Sequence, residues 1–294
     1  MSYAGAGFGG MDGGVAVPGG VAPALLASWS CGVEDLCLTD DVRDDARGAL
    51  VLDDGWIRRW TATWKLSGSE VVCPVRDLAS IPASGSGPVR RFSWRTSQRH
   101  RPGLQYLVST GRHHGFESVA EQRLLLALDF AGDLRDVVSQ PFRLRFATAK
   151  GWRAHVPDFL AITGDGGLLV DVRPAGRIGA DDRVCFAASA EVAVACGWRY
   201  LVVTGWRQPA LSTVDAVSAQ RRGLADPLGV AEVLLDAARD GPATFADLVS
   251  AAWLPVVARG HALHLVWHRR LGVDLAQPLT DRAWVWPVPV GGLP

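Results

Sequence analysis

A strand pattern, a helix pattern and a second strand pattern follow one another between residues 168 and 204. Residues 168–173 and 199–204 contain runs of Leu and Val, and residues 181–196 form a stretch rich in Ala and Val that ends at Gly197. A glycine directly after a helical pattern is a common stop signal. Two strands joined by a helix pair in parallel through a right-handed crossover. The sequence therefore predicts a sheet covered by helices, which is the α/β class.

The residues before this unit predict more of the same mixed sheet. Residues 118–130 favour a helix with an apolar interior, and residues 140–146 alternate apolar and Arg side chains as a half-buried strand does. Residues 152–163 favour another strand. The sequence GDGG at 164–167 predicts a hairpin turn between that strand and residues 168–173.

The two ends of the chain predict separate units. Residues 1–23 are rich in Gly, Ala and Pro, and we expect them to be disordered. Residues 24–88 contain strand patterns at 56–64 and 70–75 and end in a linker, which indicates a β-rich N-terminal unit. Residues 89–222 form the α/β domain. Residues 223–294 predict three short helices, with Thr244 and Pro255 as start signals, and then a hairpin, the pattern of a winged-helix domain.

The composition limits the classes of function. Basic and acidic residues number 30 each, so an attraction to nucleic acid must be local. The longest apolar runs are far shorter than the ~18 residues of a membrane span. A signal peptide begins with Lys or Arg residues, but no Lys or Arg precedes Arg43. We therefore expect a cytoplasmic protein with no membrane partner. The five scattered cysteines favour neither a disulfide framework nor a Cys-based zinc site.

Two carboxylates are predicted to meet at one edge of the sheet. Pro157-Asp158 and, after twelve intervening residues, Asp171-Val172-Arg173 lie on two strands joined by a tight turn. Neighbouring carboxylates are costly to keep ionised unless a cation neutralises them, and hard oxygen ligands suit Mg²⁺ or Mn²⁺. The upstream helix adds Glu117 and Glu121, four residues apart and therefore on one face.

Each of these acids also has a purely structural interpretation. Ser118 and Glu121 have the spacing of a helix capping box, which from sequence alone is the stronger interpretation of Glu121. Asp158 follows a proline and could accept hydrogen bonds from turn amides. Asp171 and Arg173 lie on one face of a strand and could form an ion pair.

A basic segment at residues 90–101 precedes the predicted helix at 118–130. It is either a solvated arm that balances the acidic residues upstream or a segment that contacts phosphates, since arginines with interleaved aromatic residues suit a nucleic-acid backbone. Its candidate DNA-binding residues are Arg90, Arg91, Arg95, Arg99 and Arg101.

The order of these motifs resembles the core of the PD-(D/E)xK nucleases, and most closely TnsA, the endonuclease subunit of heteromeric transposases. The resemblance covers roughly residues 90–290 and leaves the first ninety residues unexplained. The motifs that carry it are 116–121 (FESVAE), 128–130 (LDF), 140–142 (QPF), 155–160 (HVPDFL), 170–174 (VDVRP), 196–200 (CGWRY), 271–275 (LGVDL) and 278–279 (PL).

The resemblance implies a restriction-endonuclease-like fold and a Mg²⁺- or Mn²⁺-dependent DNA endonuclease. Such a subunit cuts the 5′ ends of a transposon, while a TnsB-like transposase cuts the 3′ ends and a TnsC-like ATPase regulates the assembly. Carried over by motif, the acidic metal site consists of Glu121, Asp158 and Asp171, with the carbonyl of Val172 as a further ligand. Supporting roles fall to Glu117, Gln140 and Lys150.

The chain departs from the family at the residue that follows the last acid. TnsA-like strands end in Asp/Glu/Gln-x-Lys, whereas Arg173 stands here. Arginine offsets negative charge but stays protonated, so it is a poor proton acceptor. Three interpretations stay open: Arg173 serves adequately, Lys150 substitutes for it, or the site is catalytically weak and retained for assembly. We favour the first, because all three carboxylates are present.

Two other functions remain open from the sequence. A stand-alone restriction or repair nuclease would cleave DNA without partner subunits. A non-catalytic adapter that binds DNA or protein would keep the fold and bind no metal.

Three histidines in the last third follow helical spacing: His261, His264 and His268. No acid or cysteine joins them, so we expect an exposed face with Arg259, Arg269 and Arg270 rather than a zinc site. That face would contact DNA or a partner protein.

Overall fold

The computed structural model describes residues 25–90 and 102–288 and places them in a mixed α/β fold, as the sequence predicts. The α-helices of these residues are α1 (Val33–Leu36), α2 (Asp44–Gly48), α3 (Trp56–Arg59), α4 (Val119–Ala131), α5 (Ala180–Ala195), α6 (Ala210–Ser218), α7 (Val230–Arg239), α8 (Phe245–Ser250) and α9 (Pro255–Trp267). The strands are β1 (Cys37–Asp40), β2 (Thr61–Leu66), β3 (Ser69–Pro74), β4 (Ser86–Gly87), β5 (Gly103–Leu107), β6 (Arg112–Phe116), β7 (Asp136–Ser139), β8 (Phe142–Thr148), β9 (Gly151–His155), β10 (Phe159–Thr163), β11 (Gly166–Val172), β12 (Arg199–Trp206), β13 (Ala243–Thr244), β14 (Leu271–Val273) and β15 (Trp284–Pro287).

The central sheet has the strand order β1-β12-β11-β10-β7. Strands β11 and β12 pair in parallel with α5 between them, which confirms the predicted strand–helix–strand unit. The other pairs are antiparallel, and β10 and β11 form the predicted hairpin. In this register Asp171 lies opposite Val202 on β12. Tyr200 lies two residues before Val202, so its side chain is on the same face of the sheet as that of Asp171.

A second sheet has the order β3-β2-β8-β9 and packs one face against α5 and the central sheet. Its inward side chains include Trp60, Trp64, Phe142 and Phe146, all fully buried. Phe142 and Phe146 of β8 are both buried because successive side chains of a strand point to opposite faces, so every second residue faces the core.

Two predicted strands are wrong in their extent. Residues 56–59 form the short helix α3, and the strand begins only at Thr61. Residues 152–163 are not one strand, because the chain leaves the second sheet after His155 and enters the central sheet at Phe159. Pro157 lies at this break, where a residue without an N–H donor cannot continue a hydrogen-bonded ladder.

Residues 25–88 share their sheets with the rest of the chain. Strand β1 pairs with β12 of the central sheet, and β2 pairs with β8 of the second sheet. The expected boundary at residue 88 therefore does not coincide with a break in strand pairing. The predicted disordered segment 1–23 lies outside the described residues.

The C-terminal helices form one apolar core with α4. This core includes Leu124 and Phe130 of α4, Leu234 of α7, and Leu265 and Trp267 of α9. A small sheet of order β13-β15-β14 closes the region, and its β14–β15 pair confirms the predicted hairpin. Thr244 accepts a hydrogen bond from the amide of Asp247 and Pro255 begins α9, as predicted.

The expected exposed face of three histidines and three arginines forms only in part, because Arg259, His268 and Arg270 are exposed and the other members are not. His261 and Arg269 are buried, and His264 Nδ1 contacts the carbonyl oxygen of Gln220. Arg259 instead pairs with Asp281.

None of the helices within residues 25–90 and 102–288 combines the length and the apolar character needed to cross a membrane.

Candidate metal centre

A cleft of about 820 Å³ brings together the acids that the sequence singles out. It opens between the start of α4, the β8–β9 hairpin, the ends of β10 and β11, and the start of α5. Its walls include Glu117, Glu121, Asp158, Asp171, Val172 and Arg173.

Glu121 bonds the N-cap residue Ser118 at the start of α4. Its amide donates to Ser118 Oγ at 3.2 Å, while its Oε1 accepts from the Ser118 hydroxyl at 2.8 Å. Its Oε2 accepts from the amide of Glu117 at 2.8 Å. The predicted capping contact between Ser118 and Glu121 is confirmed, and the same carboxylate also borders the cleft.

Asp158 lies where the chain crosses from the second sheet to the central sheet. Its Oδ2 accepts a hydrogen bond from the amide of Val172 at 2.7 Å, across the β10–β11 hairpin. Its carbonyl accepts from the amide of Gln140 at 2.7 Å. The partner of the Asp158 carboxylate is therefore a strand amide next to Asp171.

Asp171 is 2% exposed near the end of β11 and has two side-chain partners. His155 Nε2 lies 2.7 Å from its Oδ1, and the Tyr200 hydroxyl donates to its Oδ2 at 2.7 Å. These contacts replace the ion pair with Arg173 that the sequence left open.

The acids act on one another electrostatically. Burial raises the pKa of Asp158 well above its usual value, and the Asp171 and Glu121 carboxylates raise it further. Burial also raises the pKa of Glu121, against the hydrogen bonds from Glu117 and Ser118. Burial alone lowers the pKa of His155, but the Asp171 carboxylate outweighs it and raises that pKa to about 10.

Arg173 lies on the wall of the cleft, and its contacts are on the α5 side. Its Nε donates to the carbonyl of Arg177 at 3.3 Å, and its Nη2 lies 3.5 Å from Asp182 Oδ2. Arg90, Arg143 and Arg177 also border the cleft, and Arg90 pairs with Glu117 at 2.7 Å. The cleft thus has an acidic floor and a basic rim.

The two remaining support residues, Lys150 and Gln140, do not line the cleft, although the Gln140 amide bonds the carbonyl of Asp158. Lys150 occupies the turn of the β8–β9 hairpin, five residues before His155. At ~3.3 Å per residue this separates their Cα atoms by roughly 16 Å, and Lys150 is not among the residues that line the cleft. Gln140 is 2% exposed with φ of 48°, and no partner within the described residues bonds its side-chain amide.

Four of the five candidate DNA-binding arginines lie outside the described residues: Arg91, Arg95, Arg99 and Arg101.

The donor set of the cleft suits a hard divalent cation. Three carboxylates converge, and their mutual repulsion falls when a cation neutralises them. Residues 25–90 and 102–288 contain no cluster of three or more His, Cys, Asp or Glu side chains already arranged around a metal position.

Sequence reasoning missed two residues that contact Asp171, namely His155 and Tyr200. Both stand in quoted motifs, yet neither received a role. For Tyr200 the signal is the predicted parallel pairing of the two strands. Asp171 pairs with Val202, and Tyr200, two residues before Val202, lies on the same face of the sheet as Asp171. For His155 the sequence offers no such signal, because its strand belongs to the other sheet.

The Tyr200 hydroxyl should stabilise the fold measurably. We expect Tyr200→Phe to lower the free energy of unfolding by about 1.5–3 kcal/mol, the usual contribution of a hydrogen bond to a charged group. Urea unfolding in metal-free buffer measures the change. Tyr106→Phe is the matched control, since the Tyr106 hydroxyl bonds no described residue. Equal stabilities of the two variants would contradict the prediction.

Comparison with known proteins assigns no family. No protein-family model matches the chain, and no curated protein shows a significant match.

Proposed function

We propose that the chain is a metal-dependent DNA endonuclease of the PD-(D/E)xK type and the TnsA-like subunit of a heteromeric transposase. The observation that carries the proposal is the convergence of Glu121, Asp158 and Asp171 from three separate elements onto one cleft with an arginine rim. The motif order that resembles TnsA supplies the substrate class and the transposon context.

The topology supports a nuclease-like core. The antiparallel β10–β11 hairpin, the parallel β11–β12 pair with α5 between them, and α4 with its acid form the arrangement expected of such a core. Helices α7, α8 and α9 followed by the β14–β15 pair support a winged-helix interpretation of the C-terminal region.

In this proposal the acidic residues of the cleft bind the metal ion and the arginines bind the phosphodiester. Glu121, Asp158 and Asp171 would hold Mg²⁺ or Mn²⁺, with the Val172 carbonyl as a further ligand. When bound, such an ion activates water as a nucleophile and stabilises charge that develops on a phosphate. The arginines at the rim attract and orient the phosphodiester, and Arg173 offsets negative charge at the end of β11.

The proposed partners follow from the resemblance. They are the DNA of transposon ends, a TnsB-like transposase that cuts the other strand, and a TnsC-like ATPase. These partners are expected where bacterial DNA is processed, in the cytoplasm.

Metal binding and strand cleavage test the proposal together. Calorimetric titration of Mn²⁺ into the purified protein should show binding, and transposon-end duplex should be nicked with Mg²⁺ present. Cleavage only after a TnsB-like subunit is added supports the transposase role. Cleavage by the chain alone supports the stand-alone nuclease.

A non-catalytic adapter is the second candidate, and one observation favours it. Both oxygens of Asp171 already accept hydrogen bonds from protein groups, and Arg173 contacts Arg177 and Asp182. Absence of Mn²⁺ binding both with and without DNA would establish this candidate and exclude the nuclease.

Arg173→Lys should keep or raise Mg²⁺-dependent cleavage, because lysine stands at this position in TnsA-like proteins. Arg173→Ala removes the charge and should lower cleavage roughly 100-fold, as loss of one preorganised electrostatic group does. A single-turnover nicking assay measures both rates. An Arg173→Lys variant that folds normally but does not cleave would contradict the expectation.

A further inference from the structure

The second sheet has an outer face that is not covered by any described element. Along β8, Phe142, Leu144 and Phe146 point into the core, whereas Arg143 and Arg145 are exposed. The register places Thr63 opposite Arg143 and Thr61 opposite Arg145 on β2. We call these four residues, together with Trp152 of β9, the basic face.

The two arginines of the basic face carry uncompensated charge. Neither forms an ion pair with a residue in 25–90 or 102–288, although most charged residues near the cleft do. Glu70 of β3 lies opposite Lys65 rather than opposite either arginine. Because the chain as a whole has a formal net charge of +0, this local excess is a property of the face itself.

An aromatic contact holds one of these arginines in place. The guanidinium of Arg145 lies 4.3 Å from the centre of the Trp152 ring, and Trp152 is 47% exposed. A cation–π contact of this kind leaves the donors of the guanidinium free while it restricts the side chain. An arginine held in this way loses less conformational entropy when it binds a phosphate.

The basic face is continuous with the cleft. Arg143 forms part of the wall that also contains Asp158, and so does Ala154, which lies opposite Arg145 on β9. A polyanion whose reactive phosphate occupies the cleft would therefore extend over the face. The Thr61 and Thr63 side chains add hydroxyl donors, which commonly bind phosphate oxygens.

We propose that the basic face binds the phosphate backbone of the DNA duplex whose phosphodiester enters the cleft. This inference rests on the proposed nuclease function and adds the direction in which the duplex leaves the site. It assigns Arg143 and Arg145 to backbone contacts, which position the duplex without reading its sequence.

Salt-dependent DNA binding tests this assignment. Binding of a fluorescein-labelled duplex is measured by anisotropy without metal, in an Asp158→Asn background that prevents cleavage. Adding Arg143→Gln and Arg145→Gln should weaken binding roughly 10- to 100-fold and reduce the slope of log K against log salt by about 1.8, or ~0.9 per lost phosphate contact.

A matched control removes the same charge elsewhere. Arg47→Gln with Arg199→Gln, in the same background, eliminates two exposed arginines that pair with Glu191 and Glu34. This control should retain the parental affinity and slope. If the Arg143/Arg145 variant binds with the affinity and slope of the Asp158→Asn parent, the role of the basic face is overturned and the proposed nuclease function is not. If neither the parent nor any variant binds duplex at low salt, the proposed DNA-cleaving function is overturned as well.

Discussion

Asp158→Asn is expected to stabilise the metal-free protein, to abolish the proposed metal binding and to slow the proposed cleavage. Asparagine keeps an oxygen that can accept the hydrogen bond from the Val172 amide, but it removes the charge that Asp171 and Glu121 repel. We expect a gain of about 1 kcal/mol, which corresponds to a rise in Tm of ~2–4 °C for a chain of this size. Calorimetry should show no Mn²⁺ binding, and nicking should slow about 1,000-fold.

The stability gain should depend on pH in one direction. Because the pKa of Asp158 is raised in the folded state, folding favours the protonated carboxyl. The stability that this group contributes is fully present below its pKa in the unfolded chain and is lost as pH rises through its folded pKa. The advantage of Asp158→Asn should therefore be small near about pH 4 and should grow toward neutral pH. Urea unfolding of both proteins across this range measures it.

Asp165→Asn is the matched control for this variant. Asp165 is exposed in the turn between β10 and β11, so its replacement should change neither stability nor metal binding. A folded Asp158→Asn protein that still binds Mn²⁺ as the wild type does would contradict the metal centre. An Asp158→Asn protein less stable than wild type would contradict the repulsion among the acids.

Arg269→Ala is expected to cause the largest loss of stability. Arg269 is 7% exposed, and its guanidinium donates to the carbonyls of Phe130 at 3.1 Å and Cys31 at 2.8 Å. Alanine would leave both buried carbonyls without these donors, at ~1–3 kcal/mol each, and would remove the packing of the side chain. We expect a total loss of about 3–5 kcal/mol in urea unfolding.

The neighbouring arginine supplies the comparison. Arg270 is exposed and lies 3.9 Å from Glu232, so Arg270→Ala should change stability by less than about 0.5 kcal/mol. Arg269→Lys keeps the charge and one donor group, so its loss of stability should lie between those of Arg269→Ala and Arg270→Ala. If Arg269→Ala cost no more than Arg270→Ala, the buried guanidinium would not be what joins α9 to α4 and to the segment before α1.

Sequence reasoning succeeded where the decisive interactions are local. Four features depend only on neighbouring residues. They are the Ser118 cap on Glu121, the cap at Thr244, the start of α9 at Pro255 and the left-handed Gly197 after α5. It failed at residues 56–59 because the strand pattern of residues 60–64 does not continue upstream, where Trp-Ile-Arg-Arg forms a helical turn. It failed at Arg269 because exposure depends on elements far away in the chain.

The sequence by itself determined the α/β class, the parallel β11–β12 unit, the β10–β11 hairpin and the acids Glu121, Asp158 and Asp171 as candidates. These follow from periodicity, turn chemistry and residue type, which act over a few residues. Only the tertiary structure decided that His155 and Tyr200 contact Asp171, that Lys150 lies at the far end of a hairpin, and that Arg173 contacts the α5 side. Those outcomes depend on how two sheets meet at Pro157, since side chains of separate strands come into contact only when the sheets pack.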